Sequence, residues 1–192
     1  MLDPDAALVL KAGRGDARAV EALVKRHLSK MTGLARRMLG DPAEAEDVAQ
    51  EVFLRVWREA PKWRPGSAKF ETWMHRVALN LCYDRLRRKR ETPVAEAGLT
   101  VVDGAPSPAQ AWQNAQTARA VQAALAALPE RQRAAITLCS FLELSNIEAA
   151  ATLEVSVEAL ESLLSRGRRA MKAALFDRAG DLLGAVDPEA PE

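Results

Sequence analysis

The chain has 192 residues, 48% of them hydrophobic and 28% charged, the make-up of a soluble globular protein with apolar material for one domain or two small ones. Its 27 basic and 26 acidic side chains leave a formal net charge of +1, so overall charge argues for no nucleic-acid partner and only its distribution can. No apolar run of about eighteen residues and no leader pattern is present, which predicts a cytoplasmic protein without a membrane span. Cys82 and Cys139 belong to no Cys-x-x-Cys pair and His27 and His75 have no ligand-like neighbours in sequence, so no metal site, disulfide or cofactor is expected. Glycine-rich phosphate loops, nucleophile elbows and His-Glu-x-x-His are missing too, and the chain does not read as an enzyme.

Strand signals are sparse while Ala, Leu, Arg and Glu dominate, so the fold class is all-α. A short helix from about Asp5 to Ala12 stops at Gly13-Arg14-Gly15; Asp16 caps a second that runs to Leu39, with Gly40 as its stop. Asp41-Pro42 restarts the chain as cap and first-turn proline, and the third helix runs to about Glu59, ended by Pro61. After a loop over Lys62 to Lys69, a helix returns from Phe70 to Arg90, with Phe70, Trp73, Met74, Val77 and Leu81 on its inner side.

Proline and glycine then break all periodicity, which predicts a linker over 91–108 between two small helical domains, 1–90 and 109–178. The second opens with a helix from about Ala109 to Ala127, followed by one from Glu130 to about Phe141. Ser145 and Glu148 form a capping box for a short helix to about Leu153, and Ser156 caps a last one to about Phe176. The last two, joined by the Glu154-Val155 turn and with Leu160, Leu163, Leu164, Met171 and Leu175 inward, make a helix-turn-helix; a frayed tail over 179–192 follows.

Three surfaces carry chemistry. On the third helix Ala45, Val48, Ala49, Val52, Phe53 and Val56 form one buried stripe, and the opposite face carries Asp47, Gln50, Glu51, Leu54 and Arg58. By pattern that face is either solvated charge with one incidental leucine or a docking surface. The second surface is a concentration of bases, Lys62, Arg64, Lys69, Arg76, Arg85, Arg87, Arg88, Lys89 and Arg90, against only Glu71 and Asp84. Such a cluster inside a neutral chain is a phosphate-binding footprint. Arg76, Asn80, Tyr83, Arg87 and Arg90 share one face of the fourth helix, where Asn80 can read a base edge and Tyr83, like Trp63, can stack on an unpaired base. This combination suits melted DNA better than intact duplex. Third, the helix-turn-helix would put its last helix into a major groove, with Ser156, Glu158, Ser162, Ser165, Arg166, Arg169 and Lys172 pointing outward.

The run Glu46-Asp47-Val48-Ala49-Gln50-Glu51-Val52-Phe53-Leu54-Arg55-Val56-Trp57, followed by Phe70-Glu-Thr-Trp73-Met-His-Arg76 and Asn80-Leu-Cys-Tyr83-Asp84-Arg-Leu-Arg87-Arg88, resembles the first domain of bacterial extracytoplasmic-function (ECF) sigma factors. Leu128-Pro129-Glu130-Arg131-Gln132-Arg133 and the Leu144 to Met171 helix-turn-helix resemble the second, in the family's order over nearly the whole chain. The resemblance implies a transcription initiation subunit that binds core RNA polymerase and promoter DNA. Asp47, Gln50, Glu51 and Leu54, with Arg58 beside them, would dock on the polymerase. Lys62, Trp63, Arg64, Lys69, Arg76, Asn80, Tyr83, Asp84, Arg87 and Arg88 would hold the melted −10 element, and the Ser156 to Lys172 helix would read the −35 element. One departure weakens any −35 consensus taken from the family: Glu161 and Leu163 replace customary bases, so the reading there rests on Arg166, Arg168, Arg169 and Lys172. Two-domain chains of this kind resemble members held inactive by an anti-sigma protein. The alternative function is a decoy that sequesters an anti-sigma protein without touching DNA.

Overall fold

The computed structural model describes residues 3–64, 69–91 and 108–184, with backbone alone over 108–115 and 177–184. Local caps set most of its helix boundaries. α1 (Ala6–Ala12) ends at Gly13, and Gly15, at φ 86°, turns the chain in the left-handed region open to glycine. Gly13 is helical and serves a different need: a Cβ there would lie 2.6 Å from the Ala60 carbonyl oxygen, so only glycine lets the end of α1 rest on the end of the third helix. Asp16 accepts from the Arg18 and Ala19 amides and starts α2 (Ala17–Leu39), which closes at Gly40 with φ 77°. Asp41 accepts from the Glu44 amide, and Pro42 opens α3 (Pro42–Glu59). The fourth helix, α4 (Phe70–Glu91), takes a cap from far away, because the Asp3 carboxylate accepts from the Phe70 amide at 2.7 Å.

The second half contains α5 (Pro108–Ala126), α6 (Glu130–Ile136), α7 (Asn146–Leu153) and α8 (Val157–Gly184). Ser145 and Glu148 form the expected capping box at α7. The helix expected from Glu130 to Phe141 changes character part-way: after Ile136 it widens into a π turn over Thr137–Phe141, which closes with the Leu142 amide on the Thr137 carbonyl. One other boundary differs from expectation. α8 continues past Phe176 to Gly184, so the first part of the supposed frayed tail is helical, while 185–192 lie outside the described residues. The proposed linker, apart from its two ends, and residues 65–68 of the loop before α4 also lie outside them.

α2 is the central member, packed against α1, α3 and α4 on one side and against α5, α6 and the π turn on the other. α8 gathers α5, α6 and α7, and α7 in turn packs on α4. No strand occurs among the described residues. The buried stripe of α3 is the expected one, Ala45 through Val56. α4 departs from its expected pattern: Trp73 and Val77 are half-buried, while Thr72, His75, Ala78, Leu79 and Cys82 join Phe70, Met74 and Leu81 inside. The helix is covered from two sides, by α2 and α3 and by α7, which widens its buried arc beyond a single stripe. In α8, Leu160 and Leu164 are buried, and Leu163, Met171 and Leu175 are half-buried. The buried apolar side chains form one cluster spanning both halves.

Candidate nucleic-acid interface

α3 presents its outer face as its periodicity requires. Asp47, Gln50 and Arg58 are exposed, Glu51 is half-buried and paired with Arg55 at 3.0 Å, and Leu54 is 61% exposed. Beside it lies a cleft of about 430 Å³ whose other wall is α4. Asp84, Arg85 and Arg88 line this cleft together with Asp47, Gln50, Glu51 and Leu54. Two residues assigned from sequence to DNA, Asp84 and Arg88, therefore stand next to the face assigned to docking. Arg85 joins the two helices, donating to the Glu44 carbonyl at 3.1 Å and lying 3.7 Å from Asp47, and Lys89 pairs with Glu44 at 2.7 Å.

The other edge of α4 faces the second half. Arg76, Asn80 and Tyr83 come together as expected, in a cleft of about 310 Å³ completed by Glu130 and Arg131 of α6 and by Thr152, Leu153 and Glu154 at the end of α7. Arg76 donates to the Ala151 carbonyl at 2.8 Å and pairs with Glu154 at 2.8 Å. Lys69 pairs with Glu148 at 2.5 Å and Arg90 with Glu130 at 3.0 Å. α6 and α7 thus cover part of the stripe assigned from sequence to DNA. Tyr83 is half-buried in the cleft, and its hydroxyl has no hydrogen-bond partner among the described residues. Burial pushes that phenol up to about 12, so it stays protonated and able to donate. Lys62, Arg64, Asn80 and Arg87 remain exposed, with Arg87 bonded to Asp84 on its own helix. Trp63 is half-buried with its ring edge against Phe70, which itself stacks on Trp73, so it belongs partly to the core.

Beyond the capping role of Glu148, the glutamates that meet these bases had no assigned contact with α4, and only their sign, opposite to that of α4, hinted at one. Glu148 is held firmly: the Ser145 amide and hydroxyl both donate to its Oε2 while Lys69 donates to Oε1. The Lys69 bond, followed by those from Ser145, draws the Glu148 carboxyl down to about 2.

On α8, Ser156, Glu158, Ser162, Ser165, Arg166, Arg169 and Lys172 are all exposed, and Ser156 accepts from the Ala159 amide as the cap. Glu161, where a base is customary in the resembling family, accepts from Asn146 of α7 at 3.3 Å and so ties the two helices of the motif. Ile136 of α6 packs closely on the helix, 3.0 Å from where a Cβ on Gly167 would stand. No group of three or more metal-ligating side chains occurs among the described residues, and none of their helices is long and apolar enough to cross a membrane.

A family model for sigma-70 region 2 matches residues 23–92, and a model for sigma-70 region 4 matches residues 118–171. The ECF RNA polymerase sigma factor SigW of Bacillus subtilis is 34% identical over 175 residues, a match covering 85% of this chain and 92% of that protein. The chain belongs to the ECF sigma factors of the sigma-70 family. The sigma factor is also 36% identical over 155 residues to SigE of Mycolicibacterium smegmatis, covering 79% of the chain and 60% of that longer relative. Among solved structures, CnrH in complex with the cytosolic domain of CnrY is similar with a TM-score of 0.68 and 26% identity, over 95% of this chain and 99% of that one. As a sigma factor it serves core RNA polymerase in promoter-directed transcription initiation and is not an enzyme. Region 2 covers α2 to α4 and region 4 runs from α5 into α8, so the cleft holding Arg76, Asn80 and Tyr83 lies between the two regions.

Proposed function

We propose that this sigma factor docks on core polymerase through Asp47, Gln50, Glu51, Leu54 and Arg58 of α3. Its α4 edge, with Lys62, Trp63, Arg64 and Lys69 before it and Arg76, Asn80, Tyr83, Asp84, Arg87 and Arg88 upon it, engages the melted −10 element. The exposed face of α8, from Ser156 and Glu158 through Ser162, Ser165, Arg166, Arg169 and Lys172, reads the −35 element. The observation that carries this reading is the co-location, on two adjacent helices, of an acidic face with an outward leucine and a basic, amide-bearing edge. Such a pair suits one protein partner and one nucleic-acid partner at once.

An anti-sigma protein that covers these faces would hold the factor inactive in the cytoplasm. The likeness to CnrH, whose structure is a complex with the cytosolic domain of CnrY, supports that control. The decoy alternative is not favoured: the relatives matched over most of their length are polymerase sigma factors, and a decoy has no use for the basic edge of α4. Run-off transcription with purified core polymerase on promoters activated by overexpression tests the reading. A promoter-specific transcript that depends on the added protein is the expected result, and transcription indifferent to it would overturn the proposal.

A further inference from the structure

α1 precedes the residues matched to region 2, which begin at residue 23, and belongs to neither the docking face nor the DNA-facing edge. Its two ends nevertheless bracket Trp63. At the C-terminal end, Gly13 lies against the end of α3: a Cβ there would stand 2.6 Å from the Ala60 carbonyl oxygen and 3.0 Å from the Pro61 nitrogen. That same carbonyl accepts from the Trp63 amide at 3.3 Å, so the turn that carries the indole is seated on α1. Just before the N-terminal end, the Asp3 carboxylate accepts from the Asp5 amide at 2.9 Å through Oδ1 and from the Phe70 amide at 2.7 Å through Oδ2. Asp5 is buried; one of its oxygens accepts from Arg26 and the other meets His27 Nε2 at 2.8 Å. Phe70, fixed at its amide, is also gripped at its ring. His27 and Trp63 meet it at steep angles with centroids 6.4 and 5.9 Å away, and Trp73 stacks on it at 5.6 Å.

We infer that α1 is a brace for Trp63: Asp3 and Gly13 are positioning residues that hold the indole in place to stack on an unpaired base of the −10 strand. The inference rests on the assignment of Trp63 to that strand. A helix of seven residues does not stand alone in water. The fully buried Val9 and the bonds of Asp5 to Arg26 and His27 secure it to α2, so the brace is anchored on the central helix of the fold. An aromatic platform that is already ordered keeps stacking energy that would otherwise go into ordering it. The sign of the effect separates this role from simple electrostatics. A carboxylate near DNA repels phosphates, so through charge alone the loss of Asp3 tightens DNA binding, whereas loss of the brace weakens it.

The test uses holoenzyme reconstituted from core polymerase and the full chain carrying Asp3→Ala, Gly13→Ala, Asp3→Asn or Asp16→Asn. Asparagine still offers an oxygen to the Phe70 amide, and at position 16 it still caps α2, so the last two variants lose charge but keep their bonds. The probe is fluorescent fork DNA from a promoter activated by overexpression, a −35 duplex with the −10 strand unpaired; the same duplex without that strand is the reference. Asp3→Ala and Gly13→Ala should each weaken fork binding about fivefold. Their affinities for the reference duplex and for core polymerase should stay within about twofold of the parent, with helical content retained in circular dichroism, and both asparagine variants should bind the fork within about twofold of the parent. Trp63→Leu keeps an apolar side chain against Phe70 but no face for stacking. In that background Asp3→Ala should cost no more than about twofold, because both changes act through one ring. Tighter fork binding by Asp3→Ala, an equal loss on the reference duplex, or an undiminished loss in the Trp63→Leu background would overturn the brace. Parental fork affinity in Trp63→Leu alone would refute the assignment of Trp63 to DNA and the brace with it, whereas a weakened Trp63→Leu beside an unchanged Asp3→Ala refutes the brace alone.

Discussion

The Arg133 guanidinium, rooted in α6, donates to the main-chain carbonyl of Met38 in the last turn of α2. The same group donates to the Ala126 and Leu128 carbonyls at 2.6 and 3.2 Å, so one buried side chain satisfies the ends of two helices from different halves of the chain. A cation at a helix C-terminus also opposes the negative end of the helix dipole. Burial lowers the Arg133 pKa, but guanidinium remains charged at any pH the protein meets.

Arg133→Leu should therefore separate the halves. Removing charge-assisted bonds to three carbonyls costs about 3 kcal/mol of folded-state stability. Solution scattering should show a larger radius of gyration with helical content retained in circular dichroism. An unchanged radius would mean that other contacts are enough to hold α6 on α2.

His75 makes stability depend on pH. The ring is fully buried and neither nitrogen has a partner among the described residues; burial lowers its pKa to about 4, against a smaller opposing pull from Glu71. In the unfolded chain the imidazole titrates near its ordinary value of about 6.5, so between the two values the unfolded chain binds more protons. Stability is fully present above about pH 6.5 and falls as the pH drops through about 4, by at most about 3 kcal/mol from this group. Denaturant unfolding at pH 7 and at pH 5 should show the loss, and His75→Met should reduce its slope. An equal slope in the variant would assign the protons to other groups.

Asp47→Lys and Leu54→Asp probe the outer face of α3. Both side chains are exposed, Asp47 lying 3.7 Å from Arg85, so either change should move stability by no more than about 0.5 kcal/mol. Affinity for core polymerase should drop at least about tenfold, which is about 1.4 kcal/mol. Pull-down titrations showing parental affinity for both variants would return this face to plain solvent exposure.

Arg87→Ala and Arg88→Ala separate the two sides of α4. Among the described residues Arg87 is exposed and bonded locally, to Asp84, whereas Arg88 lines the cleft beside α3. In binding of holoenzyme to promoter DNA, the slope of log affinity against log salt should become shallower by about 0.7 to 0.9 for each phosphate the variant no longer neutralises. A flatter slope in Arg87→Ala but not in Arg88→Ala would give Arg88 to the polymerase side of the helix.

Much of this protein is written in local signals. Asp16, Gly40, Asp41 with Pro42, the Ser145–Glu148 box and Ser156 are caps whose effect reaches one helical turn, so they mark boundaries whatever the rest of the chain does. The inner stripe of α3 was legible for a related reason: it is covered from one side, and a single 3.6-residue period describes it. The bases proposed to form the nucleic-acid edge were legible as a concentration of charge, and the family signature gave them an order.

Long-range packing decided the rest. α4 is covered on two sides, so no single stripe separates its buried from its exposed residues, and the division of its bases between the α3 cleft and the α7 cleft follows from neighbours distant in sequence. Lys69 and Glu148 are 79 residues apart, and Arg133 and Met38 are 95 apart. Periodicity and capping carry no information about such pairs, because each depends on how finished helices stack and not on how any one of them forms. The sequence by itself determined the helices, their caps and the chemistry each surface can perform; only the tertiary structure decided that region 4 lies over part of the region 2 edge assigned to DNA.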